Sequence, residues 1–114
     1  MVEKTPASLS MVFWELFIEN ILMKKNKTVS YLFKGYVQGV GFRSFCHYHA
    51  TKFDVSGHVR NLSNGDVSII ACAPEINLSL FYEKIQKGPP GSNVSDVIIE
   101  ELHNIPVGKG FKIL

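Results

Sequence analysis

The chain has 114 residues, 46% of them hydrophobic and 19% charged, which suits one compact domain and excludes a disordered chain. Its formal charge of +2 is uneven: residues 1–23 carry −2 (one Lys against three Glu) and the rest +4 (eleven Lys/Arg against seven Asp/Glu). A surplus that small favours a small anionic ligand and does not by itself argue for nucleic acid. Two cysteines, Cys46 and Cys72, lack metal or disulfide-framework spacing and read as free, buried thiols of a reducing cytosol.

Residues 1–27 read as an N-terminal extension and 28–114 as the domain. In the extension Leu9, Val12, Phe13, Leu16, Phe17, Ile21 and Leu22 recur at roughly helical spacing. Two readings stand: a short amphipathic helix that contacts a partner or a membrane, or sequence upstream of a start at Met23. The second is preferred, because the residues after Met23 form a domain by themselves. Glu15, Glu19 and Asn20 interrupt the apolar run, so no membrane span is expected, nor a secretory leader.

Val29 to Val37 is rich in β-formers and reads as a strand. The loop Gln38-Gly39-Val40-Gly41-Phe42 follows. From Arg43 to Phe53 the residues Phe45, Cys46, His49, Ala50 and Phe53 share one helical face, and Asp54 ends the helix because it tolerates a left-handed conformation. Val55–Leu62 and Asp66–Ala73 are strand-like runs around Ser63-Asn64-Gly65, a strong hairpin signal in which Asn64 and Gly65 both accept positive φ. Pro74 opens a helix to Lys87, expected to face inward through Ile76, Leu80, Phe81 and Ile85, and stopped by Gly88-Pro89-Pro90-Gly91. Val94–Leu102 and Phe111–Leu114 complete the order β-α-β-β-α-β plus a short C-terminal strand. That is an α+β, ferredoxin-like sandwich: an antiparallel sheet with two helices on one face.

The chemistry concentrates in Gly35-Tyr36-Val37-Gln38-Gly39-Val40-Gly41-Phe42-Arg43. A strand that runs through a glycine-bearing loop into a helix N-terminus leaves converging, unpaired amides, and the helix dipole adds to their pull on an anion. The amides of Gln38, Gly39, Val40, Gly41, Phe42 and Arg43 are the expected phosphate cradle, with the planar Arg43 guanidinium as a further donor. Eighteen residues on, Asn61 ends the strand Gly57-His58-Val59-Arg60-Asn61. In a split βαβ sheet the first two strands are parallel and flank a third, so Asn61 is expected at the same edge as the loop. An amide that donates and accepts can hold a water in line with phosphorus.

These segments resemble the acylphosphatase family. Its G-x-V-Q-G-V-x-F-R loop is matched at Gly35–Arg43, and its G-x-V-x-N strand at Gly57–Asn61. Asn64-Gly65, Gly88–Gly91 with Val94 and Val97, and Phe111-x-Ile113 match as well, so the resemblance spans about residues 28–114. It implies hydrolysis of the carboxyl–phosphate bond of small acyl phosphates, with Arg43 and Asn61 catalytic. Arg43 would bind the phosphoryl oxygens, Asn61 would orient the water, and the substrate's own phosphate would take the proton. No metal and no cofactor are expected, and inorganic phosphate is the expected product and competitive inhibitor. The expected partners are that substrate alone, without nucleic acid or membrane, for a cytoplasmic monomer. Two departures stand out: Asp54 replaces a glycine common in the family, and His58 replaces a frequent tryptophan, which is expected to alter packing beside Asn61.

Competing readings are weaker. His47 and His49, two apart on a helix, point to different faces and cannot chelate together. Cys46 and His49 are expected to face the core, and Cys46 lacks the arginine six residues on that a cysteine-phosphatase loop needs, since Lys52 stands there. Gly39-x-Gly41-x-x-Ser44 is a poor dinucleotide fingerprint in so short a chain, and the loop lacks a Gly-Lys-Ser/Thr ending. An RNA-binding sandwich would stack bases on strand aromatics, yet Asp66–Ala73 has none. The alternatives kept open are a non-catalytic phosphate- or acyl-phosphate-binding domain of the same fold, and the related domains fused to carbamoyltransferases.

Overall fold

The computed structural model describes residues 11–18 and 25–114. Residues 11–18 form a helix, α1, whose side chains are all exposed. Leu9, Ile21 and Leu22, also expected in that helix, lie outside the described residues.

The domain follows as β1 (Asn26–Tyr36), α2 (Phe42–Lys52), β2 (Ser56–Asn61), β3 (Val67–Pro74), α3 (Glu75–Ile85), β4 (Asn93–Leu102) and β5 (Phe111–Ile113). The sheet order is β4-β1-β3-β2-β5. β3 runs antiparallel between β1 and β2, and β4 antiparallel on the outer side of β1. This is the ferredoxin-like arrangement expected from the element order. The terminal strand is the exception to an all-antiparallel sheet: β5 joins β2 in parallel, pairing Gly57 with Phe111 and Val59 with Ile113. The loop 103–110 carries the chain from β4, at one edge of the sheet, to β5, at the other, beside β2.

Alternation along the strands selects the covered face. Val67, Ile69, Ala71 and Ala73 of β3 are buried while Ser68, Ile70 and Cys72 between them are only half-buried. Tyr31 and Phe33 of β1 and Val59 of β2 join the buried set, and α2 and α3 close over it with Phe42, Cys46, Ala50, Leu78, Phe81 and Ile85. Fully burying a side chain the size of Phe33 or Phe81 contributes about 1.5–3 kcal/mol each.

Both helices are bounded by local chemistry. α2 ends in a Schellman arrangement: the Val55 amide donates to the Ala50 carbonyl at 2.8 Å and the Asp54 amide to the Thr51 carbonyl at 3.3 Å. Asp54 takes φ 56° there, the left-handed geometry expected of it. The inward face of α3 differs from expectation. Leu78, Phe81 and Ile85 are buried, whereas Ile76 and Leu80 are exposed. The stripe that wins is 78-81-82-85, because Tyr82 stacks on Tyr31 of β1 with ring centroids 5.4 Å apart, which sets the rotation of the helix. The β2–β3 connection also differs: the Gly65 amide donates to the Leu62 carbonyl, and Gly65 alone takes positive φ, at 97°. Asn64 instead folds its side chain onto Asp66, accepting from the Asp66 amide at 3.0 Å and donating to its carboxylate at 3.2 Å.

Candidate active site

Strand register brings the two distant motifs together. Phe33 of β1 and Asn61 of β2 both pair with Val67 of β3, from opposite sides. The two strands are parallel, so the loop that leaves β1 after Tyr36 emerges at the edge where β2 ends at Asn61.

That loop turns back through two left-handed glycines, Gly39 at φ 73° and Gly41 at φ 77°, and Gly41 is the N-cap of α2. A Cβ at either would meet nothing within 4 Å, so it is the backbone angle that calls for glycine. The first main-chain bond of the helix is donated by the Phe45 amide to Gly41, at 3.0 Å. The amides from Gly39 to Ser44 therefore have no main-chain acceptor, and no side chain caps them. The first turn of α2 carries no acidic residue.

A cavity of about 110 Å³ opens in front of these amides, lined by Gly39, Gly41, Arg43, Ser44 and Asn61, with Val37 and Phe42 behind them. It contains no carboxylate. Arg43 is exposed, and its Nη1 donates to the main-chain oxygen of Leu114 at 3.1 Å. Leu114 is itself held by β2, its amide donating to Val59 at 2.9 Å, so the strand that carries Asn61 also fixes the acceptor that steadies Arg43. The Oδ1 of Asn61 is buried and has no hydrogen-bond partner within the chain. A buried acceptor left unpaired costs about 1–3 kcal/mol, so it calls for a donor from a water or a ligand.

Of the residues singled out from sequence, Gly39, Gly41, Phe42, Arg43 and Asn61 meet at this cavity, while Gln38 and Val40 do not line it. The Gln38 side chain turns away and donates through Nε2 to the carbonyls of Leu62 and Asp66, at 2.7 and 2.8 Å. It pins the loop to the turn that follows Asn61. Asp66, in that turn, is buried and bridged by Lys34 of β1 at 2.9 Å. Three contributors were not foreseen: the Gln38 side chain, Ser44 and Leu114. Ser44 carried a weak signal, as a hydroxyl at the third helical position beyond Gly41. The other two depend on how the sheet closes.

His58 is not beside Asn61 in the packing. It pairs with Ile70 on the open face of the sheet, opposite the face that holds Asn61 and Val59. Cys46 is fully buried, and burial pushes its thiol well above the ordinary range; His49 is only half-buried. Among the described residues no three His, Cys, Asp or Glu side chains come together as a metal site.

Fold and cavity together define an α+β sandwich in which a glycine loop, a helix N-terminus and one arginine border a small cavity. The acylphosphatase family model matches residues 29–113. An acylphosphatase from Vibrio parahaemolyticus is 40% identical over 88 residues, which cover 77% of this chain and 97% of the relative. The crystal structure of acylphosphatase from Bacillus subtilis superposes with a TM-score of 0.74 at 35% identity, covering 77% of this chain and 98% of that one. A HypF structure from T. kodakarensis matches at TM-score 0.69 and 26% identity, over 77% of this chain but 12% of that one. The chain belongs to the acylphosphatase family, enzymes that hydrolyse acyl phosphates.

Proposed function

We propose that the chain cleaves the carboxyl–phosphate bond of small acyl phosphates without a metal ion, using Arg43 and Asn61 in the cavity described above. The observation that carries this reading is the unpaired, buried Oδ1 of Asn61 in a cavity it shares with Arg43 and the free amides of the loop. The phosphoryl group sits against the free amides of residues 39–43 and the Arg43 guanidinium, which balance the charge on its equatorial oxygens. Asn61 accepts a hydrogen bond from the attacking water through Oδ1 and sets the water oxygen in line with phosphorus. The water oxygen bonds to phosphorus as the bond to the acyl oxygen breaks. The carboxylate leaves, and one water proton passes to a phosphoryl oxygen, so the products are a carboxylate and inorganic phosphate. The lining offers no carboxylate or histidine to act as a base, consistent with the phosphate taking that proton itself. Phosphoryl transfer asks mainly for positioning and charge stabilisation, and each well-placed donor is worth roughly 10²–10³ in rate.

The cavity is smaller than the roughly 150 Å³ that encloses a benzene ring, so it suits a phosphoryl group and leaves the acyl part outside. Weak selection among acyl groups follows. The proposal extends to the rest of the unit: residues 28–114 act as one domain, monomeric and cytoplasmic, with no call on nucleic acid, membrane or cofactor.

The test is hydrolysis of benzoyl phosphate in the presence of a chelator, for the wild type, Arg43→Ala and Asn61→Ala, with folding checked by circular dichroism. The expected result is metal-independent turnover, reduced at least about 10²-fold in either variant, and competitive inhibition by inorganic phosphate. A folded wild type without turnover would leave a phosphate-binding domain instead of an enzyme.

A further inference from the structure

A second cavity lies on the other side of the sheet. The half-buried face of β2 and β3 presents His58 against Ile70, and the loop 103–110 folds over that pair on its way to β5. Between them is a space of about 170 Å³. Its walls are apolar (Ile70, Ile105, Pro106 and Val107), and its polar side chains are His58, Lys109 and Lys112. No acidic residue lines it, and Lys112 pairs directly with His58 across the β2–β5 ladder.

Size and charge narrow the occupant. A cavity of about 150 Å³ is known to take benzene, so this one has room for a single six-membered ring or a short branched chain. Two lysines at an apolar cavity with no carboxylate select an anionic head on an apolar body. The head is small, since the apolar walls take most of the space and only the Lys109 and Lys112 side chains supply charge to meet it.

The same walls lead to the catalytic groups. His58 is three residues from Asn61 on β2, and the hydrogen bond from the Gly57 amide to Gly110, at 3.0 Å, ties that strand to the loop. Lys112 is two residues from Leu114, whose main-chain oxygen holds Arg43. A ligand seated between His58 and loop 103–110 therefore bears on both strands that end at the catalytic pair.

We propose that this cavity is a regulatory site for a small apolar carboxylate, and that its occupancy changes kcat through the β5–Leu114–Arg43 connection. This rests on the role given above to Arg43, and on the carboxylates being the class of molecule that the reaction releases. The coupling is a linkage between two sites, so a ligand that alters turnover must also bind with a different affinity when phosphate fills the catalytic cavity.

Benzoate is the probe, with acetyl phosphate as substrate. Its binding is followed by calorimetry for the wild type, Arg43→Ala, His58→Trp and the double variant Lys109→Ala/Lys112→Ala, and by the ring resonances of His58 in the three proteins that keep it. The indole of His58→Trp fills the space, and the lysine pair is exposed, so its loss leaves the fold intact. Expected are similar affinities for the wild type and Arg43→Ala, a Kd at least tenfold weaker in His58→Trp and in the lysine double variant, and a benzoate effect on kcat present only in the wild type. Binding that disappears in Arg43→Ala and survives in His58→Trp would place benzoate in the catalytic cavity and overturn the proposal. So would binding without any change in kcat, or none at all. Failure of the catalytic reading is separate, since it shows as activity retained by Arg43→Ala without benzoate.

Discussion

The side chain of Gln38 offers the sharpest test of how the glycine loop is held. Its Nε2 makes two part-buried hydrogen bonds, to the carbonyls of Leu62 and Asp66. Each such bond has a net worth of about 0.5–1.5 kcal/mol. Both carbonyls keep a second donor, since Gly65 donates to Leu62 and the Leu62 amide to Asp66, so neither is orphaned when the glutamine is lost. Gln38→Ala should therefore cost about 2 kcal/mol, near the middle of the range for two ordinary bonds. Gln38→Glu has the same shape but sets a carboxylate oxygen against two carbonyl oxygens, so it should cost about 1–2 kcal/mol more as a polar group left facing its own kind. Urea unfolding at pH 7 reads both; with a slope of about 1.5 kcal/mol per molar, the alanine variant loses about 1.3 M of midpoint. Activity should fall as well, by about tenfold or more, because displacement of a positioning loop by about 1 Å can cost up to 10²-fold. A glutamate variant as stable and active as the wild type would refute the clamp, and with it the account of how the loop finds Asn61.

Other consequences follow from named groups. Replacing Asp54, left-handed at φ 56° in the cap of α2, by glycine removes a steric penalty and should raise stability by about 0.5–1 kcal/mol, seen as a melting temperature about 4 °C higher; a decrease would mean that the Asp54 side chain has a role the cap does not show. Arg43→Lys keeps the charge but loses the planar fork, so kcat/KM should drop roughly 10²-fold with the fold unchanged. Near-wild-type kinetics would reduce Arg43 to a point charge. His49 is held below its ordinary value of 6.5, first by burial and then by Lys52 and Lys84, and its Nδ1 has no partner. The unfolded chain therefore takes up that proton first as pH falls below 6.5, and stability declines from there until the folded form titrates too. His58 acts in the same direction, through burial and then Arg60. Urea midpoints at pH 7.5 and 5.5 should differ less in His49→Gln than in the wild type, and an identical difference would remove His49 from the explanation.

Much of this architecture was legible before any coordinates. Val29–Val37, Val55–Leu62, Asp66–Ala73 and Val94–Leu102 fall on the observed strands to within a few residues, because apolar runs bounded by glycine and proline leave little choice of period. Arg43 and Asn61 meet because one topological statement, that β1 and β2 flank β3, converts a separation in sequence into a shared edge. What stayed hidden depends on neighbours. α3 has apolar residues at 76, 78, 80, 81, 82 and 85, and only the Tyr31 ring tells which stripe faces in. The side of the sheet taken by His58 follows from strict alternation with Val59, yet its distance from Asn61 in sequence suggested otherwise. A strand as short as Phe111–Ile113 has no pattern that reveals whether it joins parallel or antiparallel.

That last strand does more than lengthen the sheet. A parallel partner on β2 runs towards the same edge as Asn61, so residue 114 arrives beside the cavity that Arg43 and Asn61 line; an antiparallel one would have taken it to the far end. The parallel register thus gives Arg43, an exposed side chain with several rotatable bonds, a fixed acceptor at 3.1 Å. On the role proposed for Arg43, ordering a free guanidinium over a phosphate would cost up to about 2 kcal/mol of side-chain entropy at each encounter with substrate. With that acceptor in place, part of the ordering is complete before substrate arrives. The arginine, the asparagine and the loop are then held by one strand, β2: directly for Asn61, through Leu114 for Arg43, and through the turn after Asn61 for the Gln38 clamp.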